Sequence, residues 1–351
     1  MAVGTPQQKA LSLIKGQKLL LPNLYDALPG WDGFQGGDCS KRVNNAVESW
    51  TQSWTNCASI LKTARAGRFG LLARCFYPDA EEEAVFDMAC YLVWIFVWDD
   101  KFDKSVTSIE FGAAKQLQDE TLRLLNHLFN DAPWQDPKTL DAVNRGFFPI
   151  CAKIAARSAS EARKRILHDL EAFVDSVTDW FRRDDGSMPT VAEHYANRDL
   201  NAGVRPTIAL IEYCYGLDIP SSIMEHESLQ EIKERATEIV MIANDLASIR
   251  PEITEGRVGN IVAVLAYNEG MSAQEAMDHA FTLLQKAHAA FEAAERRLPL
   301  PSGDAAVDQD VRKFVLGCKH VCTGNIHWSY NSYRYHGEDP VREKGKIVIQ
   351  L

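Results

Sequence analysis

From Met88 to Trp98 the chain reads MACYLVWIFVW, an almost unbroken apolar run, and the residues that follow, Asp99-Asp100-Lys101-Phe102-Asp103, carry three carboxylates. Elsewhere apolar residues recur at intervals of three and four, as in ATEIVMIANDLASI, AQEAMDHAFTLLQKAHAAFEAAERRL and SEARKRILHDLEAFVDSVTDWF. This periodicity predicts amphipathic helices, while alternating β-branched runs between tight turns are nearly absent. Proline and glycine clusters at 29–38, 130–137, 184–189, 216–222 and 298–304 fall where such helices would be joined. They read as short connectors within one all-α bundle. No composition shift marks a second domain, and no solenoid period or low-complexity tract is present. Residues 337–351, GEDPVREKGKIVIQL, change character and read as a tail or flap.

On a helix advancing about 100° per residue, Asp99 and Asp103 stack on one face with Asp100 beside Asp99. A solvated helix end would explain the cluster, but carboxylates suit a helix N-terminus, and these lie at the far end of a long apolar segment. A divalent cation reverses that penalty. Hard Mg²⁺ takes carboxylate oxygens, keeps several waters and bridges to phosphates, which fits a paired aspartate with a third one turn on. A second polar set lies within EIVMIANDLASIRPEI, where Asn244, Ser248 and Glu252 fall at i, i+4 and i+8. Amide, hydroxyl and carboxylate oxygens along one stripe make a three-point site for one hard cation. The alternative is a solvent-facing seam, with Ser248 bonding back to a carbonyl and Glu252 paired with Arg250 or Arg257.

Composition narrows the partners. The 351 residues are 46% hydrophobic and 25% charged, enough for a sizeable core, and 38 basic against 48 acidic side chains leave a formal charge of −10. That balance disfavours nucleic acid, since no basic stripe extends beyond EARKRILHDL. No window is long and apolar enough for a membrane span and no secretory leader is apparent, which points to a cytoplasmic protein without membrane insertion. The eight cysteines mostly sit in apolar runs and read as buried thiols. Cys318 and Cys322 share a helix face but lack the further ligands zinc needs.

With the aspartate cluster and the Asn244 stripe in place, the sequence resembles the class I terpene synthases of microbes, the fungal members more than the bacterial, over roughly residues 70–336. The family's DDxxD motif matches Asp99, Asp100 and Asp103, and its NSE triad matches Asn244, Ser248 and Glu252. Arg198, in NRDLNAG, precedes Asn244 by 46 residues, the spacing of the family's diphosphate-sensing arginine. The linker and effector positions then fall on Asn201 and Ala202, within the break that Gly203 and Pro206 give this helix. Arg334 and Tyr335 match the C-terminal RY pair. Trp328 and Phe96 match aromatics lining the family's cavity. Read without the family, Arg198 could pair with Glu193 or Asp199, Arg334 and Tyr335 could cap the last helix, and Phe96, Trp94, Trp98 and Trp328 could be core. One departure is Pro251, where many members carry a lysine. Arg250 is the nearest replacement, and the proline is expected to bend the chain before Glu252.

The resemblance implies a single-domain class I helical bundle around a central active-site cavity, spanning 41–336 after a partly irregular segment 1–40 and before the tail. It implies three Mg²⁺ ions, with Asp99, Asp103, Asn244, Ser248 and Glu252 as ligands, and an isoprenyl diphosphate held by Arg198, Arg334 and Tyr335. Phe96 and Trp328, with Phe76 and Tyr213 as further candidates, would face the carbocation. Farnesyl diphosphate cyclisation to a sesquiterpene is the expected reaction. A diterpene synthase acting on geranylgeranyl diphosphate, a chain-elongating prenyltransferase and a non-catalytic helical scaffold are the alternatives, and homodimerisation is left open.

Overall fold

The structure, a computed structural model, describes residues 4–34, 40–103, 108–133, 137–182, 186–337 and 339–351. Its order is α1 (Pro6–Ile14), β1 (Lys18–Leu21), α2 (Ser40–Trp54), α3 (Ala58–Gly67), α4 (Phe69–Phe76), α5 (Glu82–Asp103), α6 (Ser108–Asn130) and α7 (Ala142–Arg157). There follow α8 (Ser160–Arg182), α9 (Val191–Asn201), α10 (Val204–Tyr215), α11 (Ser221–Met224), α12 (Glu227–Thr254) and α13 (Ile261–Glu269). The order ends with α14 (Ala273–Glu295), α15 (Ala305–Asn331), β2 (Arg342–Glu343) and β3 (Lys346–Gln350). None of the described helices is long and apolar enough to cross a membrane.

Helix α5 is the apolar run, and every residue from Met88 to Trp98 is buried except Phe96, which is half-buried. A helix apolar all round must be surrounded by others, and α5 packs against α2, α4 and α7. On one side Trp94 stacks on Phe147 at 4.2 Å and its indole N–H donates to Asn144 Oδ1 at 3.2 Å, while Trp98 donates to Thr121 Oγ1 at 3.0 Å. These two tryptophans are therefore core. Phe96, Asp99 and Asp100 lie on the other side by helical geometry. Asp103 closes the helix, and its side chain lies outside the described residues.

Between α9 and α10 the chain turns at Gly203, whose φ is +69° and whose Cα approaches α5 so closely that an added Cβ would stand 2.8 Å from Ile95 Cδ1. Pro206 sits in the first turn of α10, where its missing N–H costs no helical bond. Gly203→Ala is expected to destabilise the protein by about 1–3 kcal/mol, through left-handed backbone strain and the clash together. A lowered melting temperature in thermal unfolding checks this.

The tail is a sheet strand. β3 pairs antiparallel with β1, Lys18 opposite Gln350 and Leu21 opposite Ile347, and with β2 on its other edge. Lys344 (φ 50°) and Gly345 (φ 81°) form the two-residue turn between β2 and β3, which needs positive φ at both positions. Ile347 and Ile349 point inward, and the outer edge of β1 is covered by Gln274 of α14, whose Oε1 accepts the Leu20 N–H at 2.7 Å. The all-α expectation thus holds for the bundle and omits this small sheet, which joins the first and last segments of the chain.

Candidate active site

Four helices end on one another. α5 ends at the aspartates, α9 just beyond Arg198, α12 just beyond Glu252, and α15 just before Arg334 and Tyr335. Arg198 Nη2 donates to Asn244 Oδ1 at 3.1 Å and to Asp245 Oδ1 at 3.0 Å. Asn244 Nδ2 donates in turn to the Tyr335 hydroxyl at 2.9 Å. The Arg334 guanidinium lies 4.9 Å from the centre of the Phe96 ring, and Phe96 packs against Phe69 and Trp328 at 4.9 and 5.8 Å. Trp328 also meets Tyr335 edge-on at 5.5 Å. Phe96, Trp328, Arg198, Asn244, Arg334 and Tyr335 are therefore brought to one mouth.

Asp99 belongs to the same place. Burial works against the Arg198 charge, but attraction from Asp245, Glu252 and Asp99 outweighs it and holds its pKa above the usual value. The alternative partners of Arg198 are engaged elsewhere: Glu193 closes a capping box with Thr190, and Asp199 pairs with Arg205. The helix C-termini add the negative end of each helix dipole. The mouth therefore draws cations.

The residues present fit a hard metal ion. Ser248 is 3% exposed, and its Oγ is buried with no hydrogen-bond partner among the described residues, contrary to a hydroxyl bonded back to its helix. Burial and the neighbouring Asp245 charge push the Glu252 carboxyl up to about 7, against the pull of Arg198. The nearby arginine charge does not offset that burial, and a bound cation would add to it. Helix α12 runs through Pro251 to Thr254 and closes with the Glu255 N–H on the Pro251 carbonyl at 3.0 Å. Glu252 is fixed by Asn260 Nδ2 at 2.8 Å rather than by an arginine.

Asn201 and Ala202 close α9. The Asn201 Oδ1 is buried without a partner among the described residues, and the Ala202 N–H donates to the Arg198 carbonyl at 3.0 Å. Phe76 packs edge-on to Tyr77. Tyr213 sits toward the far end of α10, where its hydroxyl donates to Asp87 Oδ2 at 2.7 Å. Arg334 and Tyr335 follow the α15 C-cap, Ser332, rather than forming it. Two surface hollows share Asp79 and His320 and lie by the start of α5 and the middle of α15, at the other end of α5 from the aspartates.

Asp245, His194 and Asn260 were not picked out by the sequence patterns. Asp245 is 1% exposed and accepts from His194 Nε2 at 3.0 Å, from Arg198, and from the Ile261 N–H at 2.8 Å. Burial would raise its pKa, but Arg198 and His194 pull it below the usual value. Asn260 caps α13 by accepting the Val262 N–H and donates to both the Asp245 carbonyl and Glu252. An Asn before the apolar IVAVLA signals a helix cap. Nothing local signals its reach to α12.

Over residues 90–289 the chain matches the family described as terpene synthase family 2, C-terminal metal binding. It is 27% identical over 360 residues to the terpene cyclase braA of Annulohypoxylon truncatum, covering 100% of this chain and 95% of that protein. It is 26% identical over 348 residues to the sesquiterpene synthase Agr1 of Cyclocybe aegerita, covering 99% and 96%. Its fold is similar, with a TM-score of 0.71 and 18% identity over 92% of this chain and 99% of the other, to the linalool/nerolidol synthase of Streptomyces clavuligerus solved with 2-fluorogeranyl diphosphate. The match of more than half the chain, over the segment that carries Asp99, Arg198 and the Asn244 stripe, makes this protein a member of the metal-binding terpene synthase family.

Proposed function

We propose that this terpene synthase ionises farnesyl diphosphate and cyclises the resulting allylic cation to a sesquiterpene, releasing diphosphate. The observation that carries the metal assignment is the orphaned, buried Ser248 hydroxyl between Asn244 and Glu252 on one helix stripe. Asp99 and Asp103 would hold magnesium on one side of the mouth and Asn244, Ser248 and Glu252 on the other, with three ions in all. When bound, the magnesium supplies the positive charge that makes diphosphate a good leaving group.

The chain's own groups do the rest. Arg198 has a buried Nε without a partner among the described residues, a donor available to a phosphate oxygen. Asn244 donates to the Tyr335 hydroxyl oxygen, which leaves the Tyr335 proton to be donated onward, and burial raises the tyrosine pKa so that the proton stays. Arg334 covers the Phe96 face, and on pairing with diphosphate it would uncover that ring. Phe96, with Phe69 and Trp328 behind it, then offers an aromatic face to the carbocation, stabilising it without a nucleophile. Arg198, Arg334 and Tyr335 are thus the diphosphate groups, and Asn201 and Ala202 line the turn beside them.

The farnesyl chain length draws support from the sesquiterpene synthase of Cyclocybe aegerita, matched over nearly its whole length. Incubation with Mg²⁺ and farnesyl diphosphate alone should yield a cyclised hydrocarbon or alcohol by gas chromatography, and geranylgeranyl diphosphate should yield less. A requirement for isopentenyl diphosphate would instead indicate a chain-elongating prenyltransferase. The NDLAS segment stands where such enzymes carry a second aspartate motif.

A further inference from the structure

We infer that His194 is a positioning residue for Arg198, acting through Asp245; this rests on the diphosphate-binding role proposed above. His194 and Arg198 are four residues apart on α9 and so share one face. Both reach across to the same buried carboxylate on α12, each to a different oxygen: His194 Nε2 to Oδ2 at 3.0 Å and Arg198 Nη2 to Oδ1 at 3.0 Å. His194 is 3% exposed and Asp245 1%. The Ile261 N–H, at the start of α13, takes the remaining lone pair on Oδ2 at 2.8 Å, and Asn260 grips the Asp245 carbonyl at 2.8 Å.

This arrangement is a two-pronged clamp. A carboxylate held on one oxygen alone can rotate about its side-chain bonds, and Arg198 would follow it. With Oδ2 fixed from both His194 and Ile261, Oδ1 has one direction in which to point, and Arg198 is held where its guanidinium also meets Asn244 Oδ1. A slide or roll of α9 against α12 would break both prongs together. His194 has a second effect on the same residue. When Arg198 turns toward a diphosphate, Asp245 would lose a cationic partner while still buried, a costly state unless its other bonds persist. The His194 and Ile261 donors keep it satisfied, so Arg198 can be released at lower cost. Both effects make the histidine act on diphosphate binding through Arg198 without touching substrate.

A double-mutant cycle separates this from general structural support. Binding of inorganic diphosphate in the presence of Mg²⁺ is measured by calorimetry for the unmodified protein, His194→Phe, Arg198→Ala and the pair, with His194→Leu as a second donor-free variant and His194→Gln restoring an N–H donor. Loss of a hydrogen bond to a buried charge predicts about tenfold weaker diphosphate binding for His194→Phe or Leu. The same substitution in the Arg198→Ala background should change binding by less than about twofold, and His194→Gln should recover most of the loss. Unchanged affinity in the donor-free variants, or an equal loss in both backgrounds, would overturn the inference. So would failure of both donor-free variants to fold, which would mark His194 as a structural residue. If the unmodified protein itself shows no Mg²⁺-dependent diphosphate binding, the proposed site fails as well, and that result is distinct from a loss confined to the His194 variants.

Discussion

Glu252→Gln is expected to cut Mg²⁺-dependent turnover about 10³-fold while leaving the metal-free protein more stable at pH 8. The two effects have one origin. Glu252 is held among Asp245, Arg198 and Asn260 in a place where burial and the Asp245 charge raise its pKa from 4.5 to about 7. Because the folded state keeps its proton to a higher pH than the unfolded chain does, ionised Glu252 weighs against folding. The penalty is absent below about pH 4.5, grows as pH rises, and is complete above about pH 7. Glutamine keeps the shape and can still accept from Asn260, so it should gain up to about 3 kcal/mol in the metal-free protein at pH 8 and nothing at pH 4. Chemical denaturation with chelator at both pH values measures this, and product formation measures the loss. A variant that is equally stable and fully active would show that Glu252 meets no metal.

Arg198→Ala is expected to lower kcat/KM by about 10²–10³-fold, in line with removal of one preorganised donor to a developing anion. The change should fall mainly on kcat, since charge on the leaving diphosphate grows as the bond breaks. It also removes a cation from Asp245, yet His194 and the Ile261 N–H remain on that carboxylate. The folded state should therefore survive with a lowered melting temperature. Loss of folding without any change in the kcat of the surviving fraction would reduce Arg198 to a structural ion pair.

How much of this was legible in the sequence differs residue by residue. The face shared by Phe96 and Asp99 follows from the helical period alone, and Phe96 is the one position in the Met88–Trp98 run that is not fully buried. The Asn244, Ser248 and Glu252 stripe likewise needed only the turn of one helix. The tryptophans were not separable by pattern: Trp94 and Trp98 turn to Asn144 and Thr121, while Trp328 is fully buried beneath Phe96 with its indole bonded to the Gly67 carbonyl. Which neighbour an aromatic meets is a tertiary matter. Pro251 does not end α12, which continues to Thr254, and it forgoes the one bond that its N–H would have given the Ala247 carbonyl.

Two features depended on contacts distant in sequence. β1 and β3 stand at opposite ends of the chain, and each is too short to declare itself, although the alternation in KIVIQ and the Lys344-Gly345 turn were local signals for a hairpin. The Asp245 clamp joins α9, α12 and α13, and Asp245 flanks the stripe of Asn244, Ser248 and Glu252, its partners His194 and Ile261 lying on other helices. Periodicity shows which residues share a face. It does not show which face of another helix they meet.

One mouth, formed by Asp99 on α5 and by Asn244, Ser248 and Glu252 on α12, is proposed to hold divalent metal with diphosphate. Crystals grown with Mn²⁺ and inorganic diphosphate and measured at the manganese edge test it most directly. Anomalous peaks are expected against Asp99 and among Asn244 Oδ1, Ser248 Oγ and Glu252, with the diphosphate between them and Arg198 turned toward it. Manganese bound elsewhere, with Ser248 still unpartnered and Arg198 still on Asn244, would contradict it.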